Sequence, residues 1–272
     1  MANVARAAAS AIRRRLPGGK AELKRRVGTL IAPLTASVDH NEQGRDRWVA
    51  QIAAQLPDGA RVLDVGAGTG RYRHLFAHCT YLSHDFAQYE GTSVGPLRDE
   101  WHYDRLDYVS DITALPLDDA SVDAILCTEV LEHVPEPIAA IREMVRLLRP
   151  GGRIFLSAPL GSGLHQEPYH FYGGYTPHFY RKVLSENGCA IDRITPNGGF
   201  FLHFQQEAMR ANRFICERMP GIARFPVRAM STATLGVLAP RLFMRLDERW
   251  PIEEFTVGYF VEATKSRAGN ER

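Results

Sequence analysis

Beyond the Pro57-Asp58-Gly59 turn, the apolar positions of this chain change their spacing. Before it, Leu23, Val27, Leu30, Ile31 and Leu34 recur at helical intervals with Lys24, Arg25 and Arg26 between them, which predicts a short basic amphipathic helix over 20–34. A second helix is predicted from Glu42 to Gln55. After the turn come short, continuous apolar runs. Arg61 to Val65 reads as a strand followed by a glycine-rich turn into a helix; "TYLSHDF", "LDYVSDI" and "VDAILCTEV" read as strands two to four. "AIREMVRLL" reads as a helix, and "GRIFLSAPL" as strand five after the Arg149-Pro150-Gly151-Gly152 turn. Thr176 and Pro177 supply an N-cap and a first-turn residue for a helix ending near Gly188. Strands six and seven are expected at 190–196 and 255–264. Between them, Phe204, Ala208, Ala211, Ile215 and Met219 mark an amphipathic helix, and 229–246 is a more apolar segment interrupted by Pro240.

Strands that alternate with helices and are apolar on both faces predict a parallel, doubly wound α/β sheet covered on both sides. The same pattern divides the chain. A basic arm occupies 1–36, a core 37–200, a helical insert (lid or interface) 201–250, the last core strand 251–265 and a tail 266–272. The formal net charge of +2 is unevenly spread. Residues 1–36 carry eight Lys/Arg against Glu22 alone, which leaves 25 basic and 30 acidic groups in the rest. The basic character therefore belongs to the arm.

Cys79, Cys127, Cys189 and Cys216 form no C-x-x-C pair and read as reduced thiols of a cytoplasmic protein. No apolar run reaches the ~18–20 residues that cross a bilayer. The first residues lack the apolar stretch of a secretion signal, and their Arg- and Ala-rich character also resembles a mitochondrial presequence. The basic helix and the apolar 229–246 segment together point to peripheral contact with an anionic membrane; packing of both on protein is the other reading.

Gly66, Gly68 and Gly70 stand where strand one ends, as turns require that bring backbone N–H groups close to a ligand. The dinucleotide fingerprint would need glycine where Arg71 stands, which argues against a nicotinamide-dependent oxidoreductase. Asp64 would repel a pyrophosphate but suits a ligand with an ammonium group. Asp85 ends strand two, where a carboxylate accepts from both hydroxyls of a ribose, and Asp111 ends strand three, within reach of an adenine amino group. Each alone also fits a helix cap or a solvated turn. Three at consecutive strand ends point to a nucleoside ligand.

"VLDVGAGTG", "SDITALPLDDASVDAILCTEVLEHV" and "LLRPGGRIFLSAPL" together resemble the class I S-adenosylmethionine-dependent methyltransferases, over roughly residues 45–200. The resemblance implies a seven-stranded Rossmann-like sheet and S-adenosylmethionine as cofactor, with S-adenosylhomocysteine as product and no metal. It implies that Gly66, Ala67, Gly68 and Gly70 line the methionine part of the cofactor and that Asp64 holds its amino group. Asp85 would bind the ribose, Asp111 and the Ile112 backbone the adenine, and Glu129 would lie near the sulfonium. Ser83-His84 stands where the family usually has a glycine, and the interval from Gly70 to Asp85 is short.

Methyl transfer rests largely on alignment, with a base needed when the acceptor is a hydroxyl or a protonated amine. His165 and His170 follow strand five at the ligand edge, and His133 lies in "LEHV", where a structural helix-end histidine is equally open. "HQEPYHFYGGYTPHFY" (165–180) carries no Lys or Arg, which argues against nucleic acid. The spacings of His165, His170 and His178 argue against a metal site. Tyr169, Phe171, Tyr172 and Tyr175 are therefore read as the wall of an acceptor pocket. "TEVLEHV" resembles the methyltransferase subgroup (type 11-like) acting on small molecules, lipids and glycans. The expected function is methyl transfer to O or N of a small organic, glycan or lipid-linked acceptor, with a homodimer as an open possibility. A protein that binds the cofactor without turnover is the alternative.

Overall fold

The computed structural model describes residues 40–91, 102–219, 221 and 224–267. The basic arm with its predicted helix over 20–34 lies outside the described residues. Those described form two units, one of residues 40–206 and 243–267, the other of residues 207–242.

The larger unit is a seven-stranded sheet in the order β3-β2-β1-β4-β5-β7-β6. Its strands are β1 (Arg61–Val65), β2 (Thr80–Asp85), β3 (Tyr108–Val109), β4 (Val122–Thr128), β5 (Leu148–Pro159), β6 (Cys189–Pro196) and β7 (Gly258–Lys265). Neighbours β1 to β5 pair in parallel, while β7 runs antiparallel between β5 and β6. The central strands are buried on both faces, as their unbroken apolar runs require: Val62, Leu63 and Val65 in β1, Ala124 to Cys127 in β4, Ile154 to Ala158 in β5.

Helices cover both faces. Helix α1 (His40–Gln55) turns Trp48, Val49, Ile52 and Ala53 onto Leu126, Phe155 and Phe260, with the Trp48 ring stacked on Phe260 at 4.7 Å. On the opposite face, α2 (Pro137–Leu147) buries Ala140, Ile141, Met144 and Val145, and α3 (Pro177–Glu186) buries Tyr180, Val183 and Leu184. Thr176 caps α3 by accepting from the Phe179 amide, and Pro177 occupies the first turn. Glu262, buried in β7, is matched by Trp48 Nε1 at 3.3 Å, Arg153 at 3.1 Å and Arg193 at 2.6 Å, the pairing a carboxylate needs in that position.

Three expectations need correction. The glycine turn does not lead into an α-helix. Residues 71–79 are all that separate it from β2, room for one 3-10 turn, Arg73–Phe76. Strand three is two residues long. Pro240 does not interrupt its segment: α5 (Phe225–Ser231) continues through a π-helical stretch, Thr232–Leu238, into α6 (Ala239–Arg249). The wider winding, in which the Ala239 amide donates to Thr234 O, accommodates the proline that follows.

Helices α4 (Phe200–Arg218) and α6 cross the boundary between the units. Within the larger unit, the buried Asp247 accepts from the Gly199, Phe201 and Leu202 amides at 3.0, 3.1 and 3.3 Å, which places an anion on the start of α4. Within the smaller unit, Asn212 Oδ1 accepts from Ser231 Oγ at 2.8 Å. Among the described residues no helix is long and apolar enough to cross a membrane.

Candidate active site

From β1 the chain winds to β2 and β3 on one side, then returns to β4 and β5 on the other. The carboxyl ends of β1 and β4 thus flank the crevice in which such sheets take ligands. Gly66, Gly68 and Gly70 all hold positive φ there, +77°, +51° and +68°. A Cβ on Gly66 would run into Val130, and one on Gly70 into Asp104. The turn is tied to the end of β2: the Gly66 and Ala67 amides donate to His84 O, and the Gly68 amide donates to Asp85 Oδ2 at 2.9 Å. Asp85 Oδ1 accepts from the Ala87 amide at 3.0 Å, so each carboxylate oxygen keeps a lone pair for a further donor.

Asp64 is buried beneath this turn and accepts from the Tyr81 hydroxyl. Burial pushes its carboxyl up to about 7, with Asp85 adding to the shift while the Tyr81 bond and Arg73 oppose it. Such a group ionises readily once a cation is placed against it. Asp111 is exposed and accepts from both the amide and the hydroxyl of Thr113, which hold its carboxyl below the usual range; Ile112 is buried beside it. Ser83 and His84, where a glycine was expected, are buried, and His84 Nε2 lies 3.0 Å from Ser110 O.

Glu129 follows β4 in a left-handed conformation, φ +54°, uncommon for a residue with a side chain. Ser157 Oγ donates to its Oε1 at 2.7 Å, and Arg45 of α1 lies 3.2 Å from its Oε2. Arg45 Nε also donates to Tyr72 OH at 3.1 Å. Neither Arg45 nor Tyr81 was read as a site residue. Each is an ordinary member of its own element, and only folding brings it to the crevice. Asp104 was missed for the same reason; its amide donates to Gly68 O at 3.1 Å.

The three candidate histidines converge. Ring centroids of His133 and His165 are 4.9 Å apart, His165 and His170 4.5 Å, His133 and His170 5.8 Å. His133 belongs to a 3-10 turn, Leu131–His133, and its neighbour Glu132 is buried. Burial, aided by the two other imidazoles, lowers the His133 imidazole to about 4, so it is neutral at physiological pH. Burial together with Glu129 raises the Glu132 carboxyl well above its usual range.

The aromatic rim separates into distinct places. Tyr169 stands edge-on to Phe86, just past β2, at 5.0 Å, and its carbonyl meets His133. Phe171 is exposed. Tyr172 and Tyr175 do not join the histidines as expected. The Tyr172 hydroxyl donates to Pro135 O, and Tyr175 is buried in the core with its hydroxyl on Leu131 O at 2.7 Å. Both border a cleft of ≈ 630 Å³ formed with Pro135, Ile138, Arg142 and Phe179. The helical start at Thr176-Pro177 draws Tyr175 inward, because the residue before the cap packs on the core.

Residues 63–156 match the family described as a methyltransferase domain. A stretch of 111 residues, 39% of this chain, is 41% identical to a ubiquinone biosynthesis O-methyltransferase of Xanthomonas axonopodis pv. citri (strain 306) and covers 46% of it. A stretch of 140 residues, 47% of the chain, is 29% identical to an arsenite methyltransferase of Aquipseudomonas alcaligenes and covers 40% of it. The chain thus spans less than half the length of these curated relatives. Among solved structures, an S-adenosylmethionine dependent methyltransferase from Mesorhizobium loti aligns at 18% identity over 79% of this chain and 96% of its own, with a TM-score of 0.45.

Proposed function

We propose, from the premise that the core of this chain is a class I S-adenosylmethionine-dependent methyltransferase domain, that the protein transfers a methyl group to an oxygen or nitrogen of a small organic, glycan or lipid-linked acceptor. One observation carries the reading: a positive-φ glycine turn after β1, bonded through Gly68 to Asp85 and next to the buried Asp64, lies at the same sheet edge as a cluster of imidazoles after β4 and β5. The residues fit the cofactor. The turn keeps a shape that a Cβ would break, against Val130 at Gly66 and against Asp104 at Gly70, and the buried Asp64, which accepts from Tyr81, is a carboxyl that a cationic partner such as an amino group would ionise. Asp85 would take the ribose hydroxyls, and Asp111 with Ile112 the adenine.

S-adenosylmethionine supplies a methyl group on a sulfonium whose leaving group is a neutral thioether. The chain's own part is placement and proton handling. Glu129, held by Ser157 and Arg45, would offer its carboxylate to the sulfonium of the bound cofactor. His170 and His165 are the candidate bases, accepting a proton from an acceptor hydroxyl or ammonium. The relatives named as O-methyltransferases favour oxygen as the acceptor atom. Of the rim residues, Tyr169, edge-on to Phe86, would contact the acceptor, together with the exposed Phe171.

Calorimetric titration with S-adenosylmethionine and S-adenosylhomocysteine tests the reading. Saturable binding of both is expected, and folded protein that binds neither overturns it. Binding without turnover across a broad acceptor panel would favour the module that keeps the cofactor and has lost the reaction.

A peripheral membrane location rests on a separate observation. Within the smaller unit, residues 224–242 contain three arginines and no acid, and the side chains of Phe225, Met230, Leu238 and Leu242 are exposed. Such a surface suits an anionic bilayer, where each basic residue contributes about 1 kcal/mol. Co-sedimentation with anionic and neutral vesicles, with and without residues 1–36, is expected to show pelleting with anionic vesicles only. Equal, negligible pelleting in all four cases rejects the membrane reading.

A further inference from the structure

We infer that Glu132, His133 and His165 form a binding site for one divalent transition-metal ion. Their ligand atoms lie within 4.8 Å of one another, although the residues come from two separate segments, one after β4 and one after β5. The spacing argument made from the sequence weighed His165, His170 and His178; the set that folding assembles is a different one.

Hydrogen bonding prepares both imidazoles as ligands. His133 Nδ1 lies 2.5 Å from Tyr169 O, and a carbonyl can only accept, so Nδ1 carries the hydrogen. In the neutral ring this leaves the Nε2 lone pair free, and Nε2 is 3.8 Å from Glu132 Oε1. His165 repeats the arrangement with its Nδ1 2.9 Å from Gly163 O, which again leaves Nε2 as the free lone pair. An imidazole whose far nitrogen is fixed by a backbone carbonyl is the usual support of a metal-ligating histidine.

The carboxylate supplies an independent observation. Glu132 is 1% exposed and its Oε2 has no hydrogen-bond partner. A buried carboxylate oxygen without a donor is costly, and either a cation or a proton relieves it. The neighbouring imidazole lone pairs point to the cation, since a proton on Glu132 would satisfy one group where an ion satisfies three.

Two imidazoles and one carboxylate suit zinc or ferrous-type ions rather than magnesium, which prefers an all-oxygen shell and retains its waters. Contraction of the set by about 1 Å, within reach of side-chain rotation on the loop carrying His165, gives metal–ligand distances of about 2.0–2.2 Å. Three protein ligands leave positions open for an exogenous oxygen. The ion's part in transfer rests on the activity proposed above, while its binding does not. There, with the His165 lone pair taken by the ion, the base role falls to His170 alone: an acceptor hydroxyl on the ion would give up its proton to that imidazole, and its oxygen would bond to the methyl carbon as the carbon–sulfur bond breaks. His170, whose Nε2 lies 3.1 Å from Ser162 Oγ, stays outside the set.

The test uses the full chain stripped with a chelator and titrated with Zn²⁺, Co²⁺ or Mg²⁺ alone, without cofactor or acceptor. One equivalent of Zn²⁺ is expected to bind, Co²⁺ to give visible d–d bands of a four- or five-coordinate site, and Mg²⁺ to bind far more weakly. His165→Ala, a loop variant, and Glu132→Gln should each lower Zn²⁺ affinity by more than about tenfold, with circular dichroism unchanged. His178→Ala, on the exposed side of α3, should match the parent. Absence of saturable Zn²⁺ and Co²⁺ binding overturns the proposal, as does unchanged affinity in His165→Ala. Should Glu132→Gln fail to fold, the His165 variant decides alone. Protein that takes S-adenosylmethionine but no Zn²⁺ refutes this site only; the converse refutes the methyl-transfer reading only.

Discussion

The glycine crevice and the histidine cluster sit at the same edge of one sheet but are built differently. The crevice is made of consecutive residues, 64 to 70, whose backbone amides are fixed by the end of β2 next door. Its shape depends on φ angles that only glycine adopts cheaply. The cluster is made of side chains from residues 132–133 and from the loop 160–176, held by bonds from imidazole nitrogens to Tyr169 and Gly163 carbonyls. A backbone-built site tolerates almost no change in residue type at its turn. A side-chain-built site tolerates changes around it but loses its function with a single ligand.

That contrast is sharpened first by Gly68→Val, with the largest expected effect. The branched side chain at φ +51° is strained by about 1–3 kcal/mol and would fill the approach to the crevice. Cofactor binding should vanish by calorimetry while circular dichroism still reports a folded sheet. If Gly68→Val binds normally, the crevice is not the cofactor site.

Next is the pH dependence set by Asp64, whose folded value near 7 stands above its ordinary 3.8. Below both values the two states hold the proton equally and stability has no slope from this group. Between them the folded state keeps a proton that the unfolded chain has released, so stability falls as pH rises, by up to about 1.4 kcal/mol per pH unit, and levels off above 7. Asp64→Asn should remove this slope, gaining stability relative to the parent at pH 8 over pH 5, and should weaken cofactor binding. Parallel urea-denaturation curves at both pH values for parent and variant would contradict the assignment.

Asp85→Ala should cost about 1–3 kcal/mol of cofactor affinity if the carboxylate holds two ribose hydroxyls by charge-assisted bonds. Unchanged affinity would mean that the short path from Gly70 to β2 moves the ribose elsewhere. The smallest effect is expected for Tyr175→Phe. Losing the bond to Leu131 O should lower stability by about 1 kcal/mol in chemical denaturation, with turnover intact. A selective loss of turnover would return Tyr175 to the acceptor pocket.

Much of the sheet was legible because the central strands β1, β4 and β5 are mainly apolar runs closed by a turn, and burial on both faces leaves no other use for such a run. Arg61 to Val65 is read to the residue. The Thr176-Pro177 start of α3 was legible because capping is local chemistry. The helix after the glycine turn was misread, since the turn implies one while the residues left before β2 allow only a 3-10 turn. Tyr172 and Tyr175 were grouped with the histidines by proximity in sequence, yet the cap that follows them pulls one into the core and leaves the other on Pro135.

The sequence by itself determined where the central strands fall along the chain, the glycine turn at Gly66, Gly68 and Gly70, and the acids at the strand ends. All of these follow from spacing along a few residues and from backbone limits that act locally. It pointed to a parallel sheet, whereas β7 runs antiparallel between β5 and β6. Only the tertiary structure decided that Arg45 reaches Glu129, that Tyr81 bonds Asp64, and that His133, with its Nε2 3.8 Å from the buried Glu132, and His165 gather in one place. Those contacts join residues far apart in the chain. Which side chains meet is set by how β1, β2, β4 and β5 stack side by side, a property of the packed sheet that no local pattern encodes.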